Sequence, residues 1–280
     1  MPKLITLFSG SSGNCHYIRS ENTEILIDAG VSAKAIETSL AAIGTSLRNI
    51  AAIFVTHEHV DHTRGLEVIA KKFGTPVHMT SPSAETLIKD ENAALCGVLV
   101  THNPIYSVTV GDIKLSSFIA PHDAACCVGY RAEFPLGDTV HKIGVATDIG
   151  HVESGLIDAL YGVDECIIES NHDVSMLMTG PYPYMLKRRI LSPSGHLSNE
   201  DCGKLLGILT SNAECSTRYE CPRRATLNNS SFSVKTHLIM GLKGVVRYLI
   251  LLISRHKRSG ICSLQLWQHC ISTEYMRAMQ

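Results

Sequence analysis

The run Thr56-His57-Glu58-His59-Val60-Asp61-His62 places three imidazoles and an aspartate carboxylate within six residues, 57–62. Imidazole and carboxylate are ligands that suit zinc, and such a site can lower the pKa of a bound water to about 7 and make hydroxide available near neutral pH. The residues before it, 50–56, form a short apolar, partly β-branched stretch of the kind that makes a buried strand. The motif therefore sits on a loop leaving a strand. In extended backbone, side chains two apart share a direction, so His57 and His59 are expected to grip one ion, while Asp61 and His62, after the chain turns, face a second. A chance cluster of surface histidines is the bland alternative. It does not explain an aspartate at this register behind a buried strand.

A two-ion site needs ligands from later loops, and two residues follow strand-like runs at suitable positions. His122 stands after the apolar segment 117–121 and would complete a three-histidine first site. Asp148 ends the segment 144–148, where a carboxylate can bridge two ions. The elements that must hold these loops read as mixed α/β. Strands are expected over residues 25–30, 51–56, 75–79, 113–119, 142–148 and 165–169, and helices over 33–43, 63–73, 83–88, 153–160 and 199–209.

Composition limits the function classes. An apolar content of 45% supports a sizeable core, and a formal net charge of −1 gives no global signature of a nucleic-acid or membrane partner. The N-terminal apolar run is too short for a signal peptide, and the apolar stretch 242–253 is too short to span a bilayer and is interrupted by Lys243 and Arg247. A cytoplasmic location without membrane insertion is the expectation. Ten cysteines scattered without a Cys-x-x-Cys pair point to buried thiols; Cys126-Cys127, close to His122, could supply a soft ligand, but packing is the simpler role.

Charge divides the chain. Residues 1–211 hold 15 Lys/Arg and 23 Asp/Glu, whereas 212–280 hold 10 and 3, a swing from −8 to +7. We therefore expect one domain over 1–211 and a basic tail over 212–280, either a small nucleic-acid module or a segment of non-native sequence; the absence of periodicity and of a binding motif favours the second.

Several stretches together resemble the metallo-β-lactamase fold, and specifically its YycJ/WalJ branch. They are the turn Ser9-Gly10-Ser11-Ser12-Gly13-Asn14-Cys15, the segment Leu26-Ile27-Asp28-Ala29-Gly30, the 57–62 motif, Pro121-His122-Asp123-Ala124 and Thr147-Asp148-Ile149-Gly150. Glu169-Ser170-Asn171-His172-Asp173 and Ser194-Gly195-His196-Leu197-Ser198-Asn199-Glu200 are more specific to the branch. The likeness covers residues 1 to about 210. It implies an α/β fold of four αββα layers with two divalent metal ions at one edge, zinc or alternatively manganese, and an exonuclease-like phosphodiesterase activity on DNA. Asp28 would support the metal loop from behind. Asp61 would also orient the attacking hydroxide, and His196 would donate a proton to the leaving oxygen. Asn171 and His172 would line the substrate cleft. The basic run Lys187-Arg188-Arg189, independently of the resemblance, is either a solvated charge run without function or a site where Lys187 and Arg188 contact backbone phosphates.

One departure stands against the match. Members of this fold usually supply a further metal-binding histidine beyond the equivalent of His196, in an Ala-His-Leu-Ser-like context, and residues 221–229 contain no histidine. His237 comes later and in different surroundings. Since the break falls at the charge boundary, the expectation is an aberrant C-terminal part in which the tail replaces the closing strands, for example through a reading-frame shift. Hydrolysis of a small ester, thioester or lactam, and a metal-binding protein without turnover, are the rival functions; oligomeric state is not legible. If the frame-shift account holds, reading the encoding DNA of 212–280 in its other frames will recover a His-Leu-Ser segment. If no frame contains one, the account fails.

Overall fold

In a computed structural model the described residues are 3–88 and 93–210, together with the backbone of two further strands at 251–255 and 262–265. Two sheets form the middle. The first contains β1 (Lys3–Phe8), β2 (Cys15–Arg19), β3 (Glu24–Ile27), β4 (Ile50–Phe54), β5 (Val77–Thr80) and β6 (Leu99–His102), in that spatial order. β1, β2 and β3 pair antiparallel as a meander, whereas β3, β4, β5 and β6 pair parallel. Parallel neighbours require crossovers, and helices provide them: α1 (Ala33–Ala42) precedes β4, α2 (Val60–Thr63) and α3 (Leu66–Phe73) precede β5, and α4 (Ser81–Leu87) and α5 (Ala93–Cys96) precede β6.

The second sheet holds β7 (Ser107–Val110), β8 (Ile113–Ile119), β9 (Val128–Leu136), β10 (Thr139–Ala146) and β11 (Glu165–Ile168), extended by β12 (Leu251–Arg255) and β13 (Cys262–Gln265). Only β10 and β11 pair parallel, across α6 (Ser154–Leu160). After β11 come α7 (Val174–Thr179), α8 (Tyr184–Ile190) and α9 (Asn199–Thr210). Thus two strands of the basic tail extend the second sheet beside β11, and the rest of 212–280 lies outside the described residues.

Three apolar clusters show the layering. Ile18, Ile25, Ile27 and Phe54 of the first sheet pack against Ile113, Leu115, Tyr130, Phe134, Val145 and Ile167 of the second. On the outer face of the first sheet, Leu26, Ile53 and Val77 meet Ile36 and Leu40 of α1 and Leu66 and Ile69 of α3. On the outer face of the second, Ala146, Cys166 and Ile168 meet Leu156 and Leu160 of α6 and Leu205 and Leu206 of α9. This is the αββα order expected from the sequence. Among the described residues no helix is long and apolar enough to cross a membrane.

A ladder of rings joins the sheets at β5 and β6. His78 stacks on Phe54 at 4.7 Å between centroids, and its Nδ1 lies 2.9 Å from Nε2 of His102, which stacks on Tyr106 at 4.0 Å. The Tyr106 hydroxyl meets that of Tyr130, which donates to the Val55 carbonyl at 2.6 Å. Burial, reinforced by His102, lowers the His78 pKa to about 4. An unfolded histidine titrates near 6.5, so between about pH 6.5 and 4 the unfolded chain binds more protons here and stability falls as pH falls. Replacing His78 by Phe, which keeps the stacking, is expected to flatten the drop in urea midpoint between pH 7 and 4.5; parallel pH profiles for variant and wild type would refute this.

Candidate metal centre

The centre is built at the carboxyl ends of β3, β4, β10 and β11. β3 stops at Ile27, and Asp28 turns the chain with a φ of 63°, a left-handed conformation that costs a non-glycine residue about 1–3 kcal/mol. The turn is held by the Asp28 amide donating to the Phe54 carbonyl at 2.8 Å. Its carboxylate, fully buried, accepts from the Thr56 amide (2.8 Å) and hydroxyl, and its other oxygen meets Nδ1 of His62 at 2.8 Å. Burial raises the Asp28 pKa, with His62 and Thr56 pulling the other way. His62 is thereby fixed with Nε2 facing Asp148, 3.0 Å from its Oδ2. Burial pushes the His62 pKa down, but the carboxylates of Asp28 and Asp148 overrule it and hold it well above the ordinary value. The proton so favoured is the one a cation at Nε2 replaces, because an imidazole binds metal only in its neutral form.

The 57–62 loop is clipped to the chain's first turn. Asn14 donates from its backbone amide to the Asp61 carbonyl at 2.8 Å and accepts from the Gly30 amide at 2.8 Å, while its Nδ2 lies 3.1 Å from His62 Nε2. Gly30 cannot carry a side chain, since a Cβ there would lie 1.7 Å from the Asp61 carbonyl oxygen. Glu58 points away from the cluster and accepts from the Ser83 hydroxyl and the Ala125 amide, both at 2.7 Å, so it ties this loop to the one bearing His122.

Histidines converge on the other side. His57 has Nδ1 3.0 Å from the Thr56 hydroxyl and 3.6 Å from the Cys127 thiol, and Nε2 2.9 Å from Nδ1 of His59. His122 donates from Nδ1 to the Gly195 carbonyl at 2.8 Å, which turns its Nε2 towards Asp123 and Asp148. Burial, foremost, lowers the pKa of both His57 and His122, keeping them neutral. Asp148 also adopts a left-handed φ, 54°, and although burial opposes its charge, His62 and its neighbours hold its carboxyl well below the usual range.

Ligand atoms fall into three groups, each within 4.8 Å: His57, His59 and His122; His57, His62 and Asp148; and His122, Asp148 and His196. The first is the three-histidine set expected from the sequence. In the second and third, Asp148 connects the His62 side to the His122 side, where a bridging carboxylate would stand. Asp61 belongs to none of these groups; its Oδ2 lies 3.8 Å from His62 Nε2, with the side chain partly exposed. Converging imidazole nitrogens with a buried carboxylate beside them fit a divalent cation.

His196 arrives from the segment after α8. Its Nδ1 lies 2.8 Å from Glu169 Oε1 and 3.4 Å from Asp148 Oδ1. Burial lowers its pKa, but the hydrogen bond and charge of Glu169 outweigh that and raise it. Glu169 is a residue of the site to which the sequence reading gave no role. Its buried carboxylate also accepts from the Ile149 amide (2.7 Å), the Leu197 amide (3.2 Å) and Asn171 Nδ2 (2.9 Å), so it knits the Asp148 loop to the His196 segment. The available signal was positional: Glu169 ends a short apolar strand, as Asp28 and Asp148 do.

The expected substrate residues separate. Asn171 and His172 lie beside the 197–199 segment through the Asn171 amide on Leu197 and the Asn199 amide on His172, both 2.9 Å. Asn171 Oδ1 and both His172 ring nitrogens are buried without a hydrogen-bond partner among the described residues. Lys187 is turned inward, donating to the carbonyls of Met178 and Gly180 at 2.7 Å each. Arg188 lies over the Tyr184 ring at 5.9 Å, and it is Arg189 that reaches the site's edge, where its Nε donates to Asp123.

Two packed sheets with ligand-rich loops at one rim define a metallo-β-lactamase-fold protein, and the Metallo-beta-lactamase superfamily profile matches residues 9–115. Solved structures agree on the fold. Human tRNase Z, short form, superposes with a TM-score of 0.57 at 16% identity over 75% of this chain and 89% of that one, and Zn(2+)-bound PqqB from Methylobacterium extorquens with 0.55 at 15% identity over 71% and 81%. Exodeoxyribonuclease YycJ of Bacillus anthracis is 38% identical over 200 residues, 70% of this chain and 72% of that protein; Exodeoxyribonuclease WalJ of Streptococcus pneumoniae is 38% identical over 204 residues, 71% and 73%. The chain belongs to the YycJ/WalJ family of metallo-β-lactamase-fold proteins.

Residues that orient metal-binding histidines typically matter 10–100-fold for affinity. Asp28→Asn keeps the side-chain shape and removes the charge behind His62; zinc affinity, measured by chelator competition, is expected to fall by about that factor. Unchanged affinity would remove Asp28 from the centre.

Proposed function

We propose that this chain is a metal-dependent exodeoxyribonuclease in which residues 1–211 form the catalytic unit and 212–280 an appendage. The observation that carries the reading is the His196–Glu169 pair standing against Asp148 and His122, a proton-holding imidazole beside a cation-binding cluster. The relatives named exodeoxyribonuclease support DNA as the substrate.

In this reading His57, His59 and His122 hold one divalent ion, and His62, Asp61 and the shared Asp148 hold a second. Divalent ions held there would supply Lewis-acid stabilisation of phosphoryl charge and acidify a water. The remaining work belongs to the chain. Asp61, at the exposed side of the loop, orients the attacking water. His196, held by Nδ1 on Glu169, gives its proton to the leaving 3′ or 5′ oxygen, a contribution that typically reaches 10²–10⁴-fold. Zinc is our first choice of ion and manganese the second.

The test is hydrolysis of a 5′-labelled oligonucleotide after reconstitution with zinc or manganese. Stepwise shortening is expected; EDTA and His57→Ala should abolish it, and His196→Ala should lower kcat by about 10²-fold or more at retained metal content. Cleavage of thioester or nitrocefin with DNA untouched would overturn the proposal. A second reading, metal binding without turnover, draws on the position of Asp61 outside the grouped ligand atoms and on the missing downstream histidine. Two tightly bound ions with no activity on any of these substrates would decide for it.

A further inference from the structure

Residues 174–192, the α7–α8 hairpin, contain Lys187, Arg188 and Arg189 and no Asp or Glu, in a chain whose formal net charge is −1. The same stretch exposes large side chains: Met176 is 64% exposed, Tyr184 68% and Met185 70%. A cationic surface bearing exposed aromatic and thioether groups is unusual away from a binding site.

The hairpin is also stiff. Lys187 Nζ donates to the carbonyls of Met178 and Gly180, which pins the end of α7 to α8, and Pro181 and Pro183 restrict the connection. With its ammonium spent on those carbonyls, Lys187 leaves phosphate contact to the arginines. Arg188 rides over the Tyr184 ring at 5.9 Å. At the other end of the helix, Arg189 donates to Asp123, whose Oδ1 lies 3.2 Å from His122 Nε2. Tyr184 and Arg189 are five residues apart, about 7.5 Å along a helix axis, or roughly two stacked bases at ~3.4 Å each. The helix that bears the exposed ring therefore also docks at the edge of the metal centre.

Resting on the nuclease reading above, we propose that Tyr184 and Arg188 form a base-stacking platform that holds a single-stranded DNA end and leads it to the centre. Stacking of a base on an aromatic side chain contributes about 1–3 kcal/mol and is tolerant of sequence, as a nuclease that digests any strand requires. Arg188 adds a cation–π contact from above and a charge for the neighbouring phosphate. The absence of acidic residues from 174–192 and the docking of α8 at the edge of the centre favour a nucleic acid over a protein as occupant.

The experiment measures binding of a fluorescein-labelled phosphorothioate oligothymidylate, which resists cleavage, to the full-length metal-loaded protein by anisotropy. Metal content and thermal midpoint check that each variant is folded. Tyr184→Ala is expected to weaken binding about tenfold, Tyr184→Phe to bind as wild type, and Arg188→Gln to reduce the slope of log Kd against log salt by about 0.7. Wild-type affinity in Tyr184→Ala overturns the platform. So does a change confined to sedimentation, with dimers becoming monomers and oligonucleotide affinity per chain unchanged, which would make the face a contact between copies. A wild-type protein that ignores the oligonucleotide yet cleaves thioester or nitrocefin fails the nuclease reading itself, and that result is distinct from the first two.

Discussion

The buried carboxylate of Asp28 is the constraint on which the centre depends. It has no exposure to water, and its charge is balanced by the Thr56 amide and hydroxyl and by His62. Truncating one partner of such a pair strands the other charge at a cost of about 3–5 kcal/mol, a large share of the ~5–15 kcal/mol that holds a typical domain together. The pairing thus fixes more than a ring orientation. Through Thr56 it sets where β4 ends, and through His62 it sets the turn of α2, so the loop between them has little freedom left. Asn14 and Gly30 close it from the other side, with two backbone hydrogen bonds and a contact that leaves no room for a Cβ.

A second carboxylate does the corresponding service for the other sheet. Glu169 gathers Ile149, Asn171, His196 and Leu197 around one buried group, and so fixes the distance between Asp148 and His196. The two arrangements differ in one respect. Asp28 holds a histidine whose Nε2 faces Asp148, whereas Glu169 holds a histidine by the same ring nitrogen that lies near Asp148.

Much of this was legible in the sequence, for identifiable reasons. The loop ligands His57, His59, His122 and Asp148 follow short apolar strands, and strand ends at a sheet rim are where such side chains can converge. Buried strands β3, β4, β8, β10 and β11 announced themselves as apolar runs. β1 and β2 did not: their alternation sits beside a Gly/Ser turn, and the N-terminal run was weighed only as a leader. β9 alternates buried and half-buried residues from Tyr130 to Phe134, but Arg131 and Glu133 broke the apolar run. α7 and α8 carry their Met and Tyr outward, so they show no inward stripe for a periodicity argument to find. Glu169 was hidden by its likeness to any strand-end acid, since only tertiary contacts distinguish a four-donor hub. Lys187 looked like a free cation because its carbonyl partners are themselves set by the turn at Gly180.

The division of the ligands between the sheets has a consequence for assembly. Asp28, His57, His59, Asp61 and His62 come from the first sheet's rim; His122, Asp148, Glu169 and His196 come from the second's. Neither half carries a complete set. A cation bound between them acts as a clamp across the interface that Ile25, Phe54, Tyr130 and Val145 fill, and it binds only the docked state. Ion occupancy would therefore be linked to sheet docking, and a chain that has folded only one of its sheets would lack half of the cluster.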